Sequence, residues 1–204
     1  MKSTTTALIF FALLLSVCPV ALSAQTTSDD AALIAKARKI HEKVITLDTH
    51  NDISTTNFTD AVNYSQDLPN QVNIPKMRKG GLDVSWMIVY TGQGPLTDAG
   101  YAAAYKNAID KFDAIHRLTE KIAPNDIGLA LTSNDVRRLV KEGKLVAMIG
   151  VENGYPIGTD LGRIKEFADR GARYMSLAHN GHSQLADSNT GEADGKWLHN
   201  GLSD

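Results

Sequence analysis

Apolar residues along the chain recur at two spacings, and the stretches that carry them alternate. Residues 31–43 place Leu33, Ile34, Ala37 and Ile40 on one helical face. Residues 44–49 then switch to strand character. Asn73-Ile74-Pro75 opens a second helical unit, with Pro75 suited to a first turn and Gly80-Gly81 ending it. A buried strand is expected over residues 82–90 (LDVSWMIVY). Residues 98–122 have the length and the Ala, Lys and Ile content of a long helix, stopped by Pro124. Thr132, with Asp135 three residues later, forms a capping box that opens a helix closed by Gly143. Residues 144–151 (KLVAMIGV) are almost continuously apolar, as a parallel strand covered on both faces requires. Thr159 or Asp160 caps a helix over 161–170 that Gly171 ends, and residues 173–178 (RYMSLA) give a fourth strand.

Strand and helix alternate with no Asn-Gly hairpin signal between neighbouring strands, which predicts a parallel α/β architecture. Four such units fit half of an eight-stranded barrel or a small open sheet. The polar residues of interest fall at the C-terminal ends of strands, where barrels assemble their active sites, so the barrel is preferred. An open doubly wound sheet binds ligands at the same edge and stays open as an alternative. After His179 the chain turns rich in Gly, Asn, Asp and Ser and shows no further element.

Composition narrows the function classes. Of 204 residues 43% are hydrophobic and 22% charged, with 21 Lys+Arg against 23 Asp+Glu. That balance excludes a disordered tail, a collagen-like repeat and a strongly basic nucleic-acid binder, and it favours no anionic partner. Lys2, the apolar run 7–17 and the small residues Ala21, Ser23 and Ala24 match a secretory signal peptide over residues 1–24. Residues 25–204 then form one exported domain, periplasmic or secreted, with no stable membrane anchor. Cys18, the one cysteine, lies inside the signal; Val17 before it and Pro19 after it depart from a lipoprotein signal. The mature chain therefore has no disulfide, no Cys-ligated zinc and no cysteine nucleophile.

Residues 44–52 alternate, with Ile45, Leu47 and Thr49 on one face and Thr46, Asp48, His50 and Asp52 on the other. An imidazole and a carboxylate two residues apart on a strand can share a divalent metal. An isolated His-x-Asp is more often a solvated strand end, since so short a pattern has many false positives. Glu152 emerges where the buried run 144–151 ends, on the inner face with Val146 and Met148. A lone carboxylate there must be paired, either with an arginine or with a metal. His179 closes the fourth strand and could polarise a carbonyl or lie idle in a loop. His182 and His199 sit in Gly/Asn-rich loops and His41 and His116 on helices, where surface or packing roles suffice. Other chemistries fail: Gly181-His182-Ser183-Gln184-Leu185 lacks the last glycine of a nucleophile elbow, His41-Glu42 lacks the second zincin histidine, and no phosphate-binding glycine loop is present. The basic residues of 36–43 and Arg137-Arg138 read as solvated helix faces. Asn57-Phe58-Thr59 and Asn63-Tyr64-Ser65 fit glycosylation sequons.

These motifs, in this order, resemble the membrane (renal) dipeptidase family, peptidase family M19, within the metal-dependent amidohydrolase-like barrels. The resemblance runs from about Val44 to Asp204. It rests on Asp48-Thr49-His50-Asn51-Asp52, on residues 73–81 leading into a strand, on Gly150-Val151-Glu152-Asn153-Gly154, on Leu177-Ala178-His179-Asn180 with Ala186-Asp187-Ser188, and on the closing segment 199–203. It implies the N-terminal half of a TIM (β/α)8 barrel and a binuclear zinc peptidase. Such an enzyme cleaves dipeptides, often with a D-residue on the C-terminal side, by attack of a metal-bridging hydroxide. By motif, His50 and Asp52 would bind the first zinc, Glu152 would bridge both, and His179 would bind the substrate carbonyl and steady the oxyanion.

The family draws the two histidines of its second zinc, a substrate-binding arginine and a late aspartate from strands that follow, and none of these positions exists here. A barrel of this class needs about 250 residues, so the sequence reads as an N-terminal fragment whose metal site is half formed and whose activity alone is negligible. Two competing readings remain: a non-catalytic exported half-barrel that binds a partner, and an amidohydrolase acting on a cyclic amide or ester. Asp52 argues against the latter, which more usually carries His-x-His on the first strand. A homodimer is compatible with all of them.

Overall fold

Outside the segment 7–17, the longest apolar run of the chain, 145–151, becomes the central strand, because a position with neighbours on both edges and layers on both faces takes nearly every residue out of water. In the computed structural model, which describes residues 28–190 and 195–203, this strand is Leu145–Glu152. The signal peptide expected over 1–24 lies outside the described residues. The chain divides into two units between residues 37 and 38. The helix α1 (Ser28–His41) begins in the first, and everything below concerns the second.

Five strands form one parallel sheet: β1 (Leu47–Asp52), β2 (Val84–Tyr90), β3 (Ile127–Leu129), β4 (Leu145–Glu152) and β5 (Ala172–Met175). β4 pairs along its length with β2, whose other edge carries β1. The far edge of β4 is shared, with β3 beside Leu145 to Ala147 and β5 beside Ile149 to Val151. β3 has no counterpart among the four expected strands, because three residues in an Ile-Gly-Leu sequence carry no alternation to read.

Side chains alternate across the sheet. Met87 and Val89 of β2 and Ala147, Ile149 and Val151 of β4 meet Phe112 and Ile115 of α3 (Asp98–Arg117) and Phe167 of α5 (Gly162–Asp169) in the main core. On the opposite face, Val84 and Val146 pack with Leu139 of α4 (Ser133–Lys141), which closes the start of that face. Further along it Tyr174 of β5 lies flat across Gly150, where an added Cβ would stand 2.2 Å from the Tyr174 Cζ. The Tyr174 ring meets Trp86 at 4.9 Å, and its hydroxyl donates to the Thr49 carbonyl of β1 at 3.3 Å. One aromatic side chain thus spans the inner face from β5 to β1.

Local signals mostly hold. Asn73 caps α2 (Ile74–Gly80) by accepting from the Lys76 N–H, and Gly81 ends it at φ 69°. Thr132 and Asp135 form the reciprocal capping box at α4. The long helix splits into α3 and a π-helical turn at Leu118–Ile122. At α5 neither Thr159 nor Asp160 is the cap residue; Asp160 instead accepts from the Gly162 N–H at 2.9 Å, in a turn just before the helix.

Two strands are corrected. β1 begins at Leu47 rather than residue 44 and runs through Asp52, and its pairing with β2 slips between Asp48 and Asn51. That irregularity breaks the strict alternation: Leu47 is exposed, while Asn51 is buried. β5 ends at Met175, so Leu177, Ala178 and His179 belong to the loop beyond it.

Candidate metal centre

β1 and β4 flank β2 and run parallel to it, so polar residues at their C-terminal ends converge above the inner face. His50 and Asp52 come from β1 and Glu152 from β4; each offers a ligand atom, and those atoms lie within 4.8 Å of one another. His50 Nε2 stands 3.7 Å from Asp52 Oδ1 and 3.3 Å from Glu152 Oε2. The Asp48 carboxylate turns back to accept the His50 backbone N–H at 3.0 Å, which ties the end of β1 locally. One imidazole nitrogen and two carboxylate oxygens suit a divalent cation of the zinc type. The donor set therefore fits the metal that the motifs imply.

His179 joins from the loop after β5, its Nε2 3.0 Å from Glu152 Oε1. The two oxygens of Glu152 thus face two histidines on opposite sides. The Glu152 side chain is only 16% exposed, against 63% for Asp52, so Glu152 is the carboxylate whose desolvation most needs a partner. The Tyr90 ring stands edge-on to the His179 imidazole at 5.2 Å, and Ser188 Oγ donates to the His179 carbonyl. His179 Nδ1 is buried without a hydrogen-bond partner among the described residues.

Two further groups feel these carboxylates. Lys111 of α3 donates to the Tyr90 carbonyl at 2.7 Å. Burial holds its amine below the ordinary lysine value, and Asp52 and Glu152 pull the other way. The Tyr174 phenol is pushed up by burial and then by Glu152, Asp52 and Asp48.

The sequence reading did not anticipate what Asp187 does. Its carboxylate accepts the backbone N–H groups of Leu198, His199 and Gly201 at 2.9, 3.0 and 3.0 Å, folding that segment back over the loop. His182 Nδ1 lies 3.0 Å from Asp187 Oδ1 and also accepts the Ser188 N–H. No spacing rule connects one aspartate to amides more than ten residues on. Beside His179 the same loop lines a cavity of about 580 Å³ that includes Asn180, Ala186 and Ser188.

The remaining candidates have structural partners. His199 bonds the Ser183 carbonyl, His41 the Gly81 carbonyl, and His116 both Glu120 and the Arg170 carbonyl. At the second sequon, Asn63 is 5% exposed and its amide donates to the Thr59 and Asp60 carbonyls.

Known proteins resemble this chain in sequence and in fold. The model of the membrane dipeptidase family, peptidase family M19, matches residues 34–204. Dipeptidase aclJ of Aspergillus oryzae is 29% identical over 157 residues, which cover 75% of this chain and 35% of that protein. Among solved structures, the probable dipeptidase PvdM from Pseudomonas aeruginosa superposes with a TM-score of 0.71 at 23% identity, over 78% of this chain and 40% of that one. A metallopeptidase from Rhodobacter sphaeroides, liganded with a phosphinate mimic of the dipeptide L-Ala-D-Ala, gives a TM-score of 0.59 at 16% identity, over 71% of this chain and 48% of that one. The chain spans about a third of the length of the curated relatives it matches. The parallel sheet and its helices are part of the TIM-barrel fold of these neighbours.

Proposed function

The chain belongs to the membrane dipeptidase family, peptidase family M19, and on that premise we propose that it contributes the first zinc site and the carbonyl-binding histidine of a dipeptidase. His50, Asp52 and Glu152 would hold the first cation, and Glu152 would also serve a second. The observation that carries the reading is the meeting of His50, Asp52 and Glu152 within 4.8 Å at the ends of two strands. When bound, such cations supply Lewis acidity that activates water at neutral pH and stabilises charge developing on a carbonyl oxygen.

The chain's own residues position and donate. Asp48 fixes the backbone of His50, and the bulk of Tyr90 fixes the His179 ring. With its Nε2–H toward the site, His179 is a donor for the oxygen of a scissile amide, where a hydrogen bond strengthens as negative charge accumulates. Among the described residues, His50 and His179 are the histidines that approach Glu152 within 4.0 Å. In this reading the chain's own contribution to dipeptide hydrolysis is the cluster of His50, Asp52, Glu152 and His179, and the chain spans about a third of the curated relatives' length. Dipeptides are the substrate class that the relatives' names support, and the L-Ala-D-Ala mimic bound by the Rhodobacter sphaeroides enzyme supports tolerance of a D-residue at the second position. Residues 7–17 with Ala21, Ser23 and Ala24 support export of the mature protein.

Zinc titration of the purified chain tests this. One zinc per chain, lost on His50→Ala, is expected, with no appreciable L-Ala-D-Ala hydrolysis by the chain alone. Zinc binding that His50→Ala and Glu152→Gln both leave unchanged would overturn the assignment.

A further inference from the structure

The residue after Glu152 has a backbone that most side chains avoid. Asn153 sits at φ 75°, in the left-handed region, and is fully buried. Glycine would adopt that conformation without cost, and asparagine is among the few other residues that tolerate it. What asparagine adds is an amide, and every polar atom of it is used. Its Nδ2 donates to the Thr91 carbonyl at 3.0 Å and to Gln93 Oε1 at 3.2 Å, and its Oδ1 accepts the Tyr155 N–H at 3.2 Å. Its backbone N–H donates to Ser176 Oγ at 2.9 Å, just past β5.

These bonds run to the elements that carry the site. Thr91 follows β2, and its own N–H donates to the Glu152 carbonyl at 3.3 Å. Gln93 packs on Gly181 so closely that an added Cβ there would stand 2.7 Å from Gln93 Cγ. Gly181 is in turn bridged to His179. One buried amide therefore connects the exit of the strand bearing Glu152 with the loop bearing His179.

We propose that Asn153 is a positioning residue: through Thr91 it sets the angle at which Glu152 leaves β4, and through Gln93 it sets the His179 loop, so that Glu152 meets His179 and His50 on opposite sides. The inference rests on the dipeptidase-site reading for its consequence in metal binding, but not for the coupling itself.

Asn153→Gly separates conformation from anchoring, since glycine keeps the positive φ and deletes the amide. In the metal-free chain, its backbone amide resonances of His179 and Gly181 are expected to shift while those of α4 stay in place. Zinc affinity is expected to fall about 10- to 100-fold, the range typical of partners that orient a ligand. Gln93→Ala, which leaves the left-handed residue intact, should reproduce the shifts at His179 and Gly181 without the full loss of affinity. A purely structural asparagine would lower the melting temperature of Asn153→Gly yet leave those resonances and the zinc affinity of the folded fraction unchanged, and that result would overturn the proposal. If the unaltered chain binds no zinc, the metal reading fails, and the resonances alone still decide the role of Asn153.

Discussion

Glu152 Oε1 lies 3.0 Å from His179 Nε2, although the first residue ends β4 and the second lies in the loop beyond β5. The contact separates two roles that a shared site could blur. If Glu152 is a ligand and His179 a carbonyl donor, Glu152→Gln should reduce zinc affinity by at least about 100-fold, whereas His179→Ala should reduce it by less than about 10-fold, the low end of what losing an orienting partner costs. Competitive titration against a chromophoric chelator reads both. Equal losses would make His179 a ligand and remove it from the donor role.

Tyr174 and Gly150 lock the floor beneath this site. A methyl group at Gly150 would stand 2.2 Å from the Tyr174 ring, so Gly150→Ala must expel the ring from its place beside Trp86 and from its bond to the Thr49 carbonyl. Overpacking of this kind costs about 1–3 kcal/mol. In a Tyr174→Ala background the same substitution should cost much less, because the neighbour it collides with is gone. Denaturant unfolding of the four proteins in the cycle gives the coupling, and strictly additive losses would contradict it.

How much of this could be read from residues alone depends on how local each cause is. β4 and the emergence of Glu152 were legible because eight successive positions share one burial requirement. Capping at Thr132 and Asn73 was legible because donor and acceptor lie three residues apart. The face assignment of β1 was not: its pairing slips between Asp48 and Asn51, and a slip depends on the partner strand. His50 and Asp52 still meet Glu152, but not by the simple alternation that suggested it. The Asp187 contacts and the Asn153 amide depend on segments brought together only by the complete sheet. The resemblance carried the site further than the spacing did, since it named Glu152 and His179 together where periodicity could place only the first.

Lys111 offers a test of the field around the carboxylates. Its folded pKa is depressed by burial relative to 10.5. Between the folded value and 10.5 the unfolded chain holds a proton that the folded chain has lost, so this group's contribution to stability rises with pH there. Lys111→Met should therefore lack that rise. The stability difference, wild type minus variant, is expected to be constant near neutral pH and to grow as pH approaches 10.5. Adding Glu152→Gln removes one of the charges that favour the ammonium form and should move the onset to lower pH. A difference that stays constant with pH would mean the amine is fully solvated.

Asp187 has the opposite sign. Burial alone would raise its carboxyl, but the backbone N–H groups of Leu198, Gly201 and His199, with His182 nearby, hold it below the ordinary carboxylate range. A depressed folded pKa contributes stability that is complete above the unfolded value and is lost as pH falls through the folded one. The segment it holds also pairs back through the Gly201 carbonyl, which accepts the Asp187 N–H at 2.8 Å, and through the Leu185 carbonyl, which accepts from Ser203 at 3.0 Å. Asp187→Asn keeps the shape but replaces one acceptor oxygen with an amide NH2 group that faces donors. The amides of Leu198, His199 and Gly201 should then exchange faster at neutral pH, as they should in the unaltered chain once Asp187 is protonated. Because Asp187 and Ser188 wall the cavity beside His179, the loosening should extend to the His179 amide while the β2 and β4 amides keep their protection. Unchanged exchange at Leu198 and Gly201 in Asp187→Asn would show that the segment is held by its backbone pairing alone.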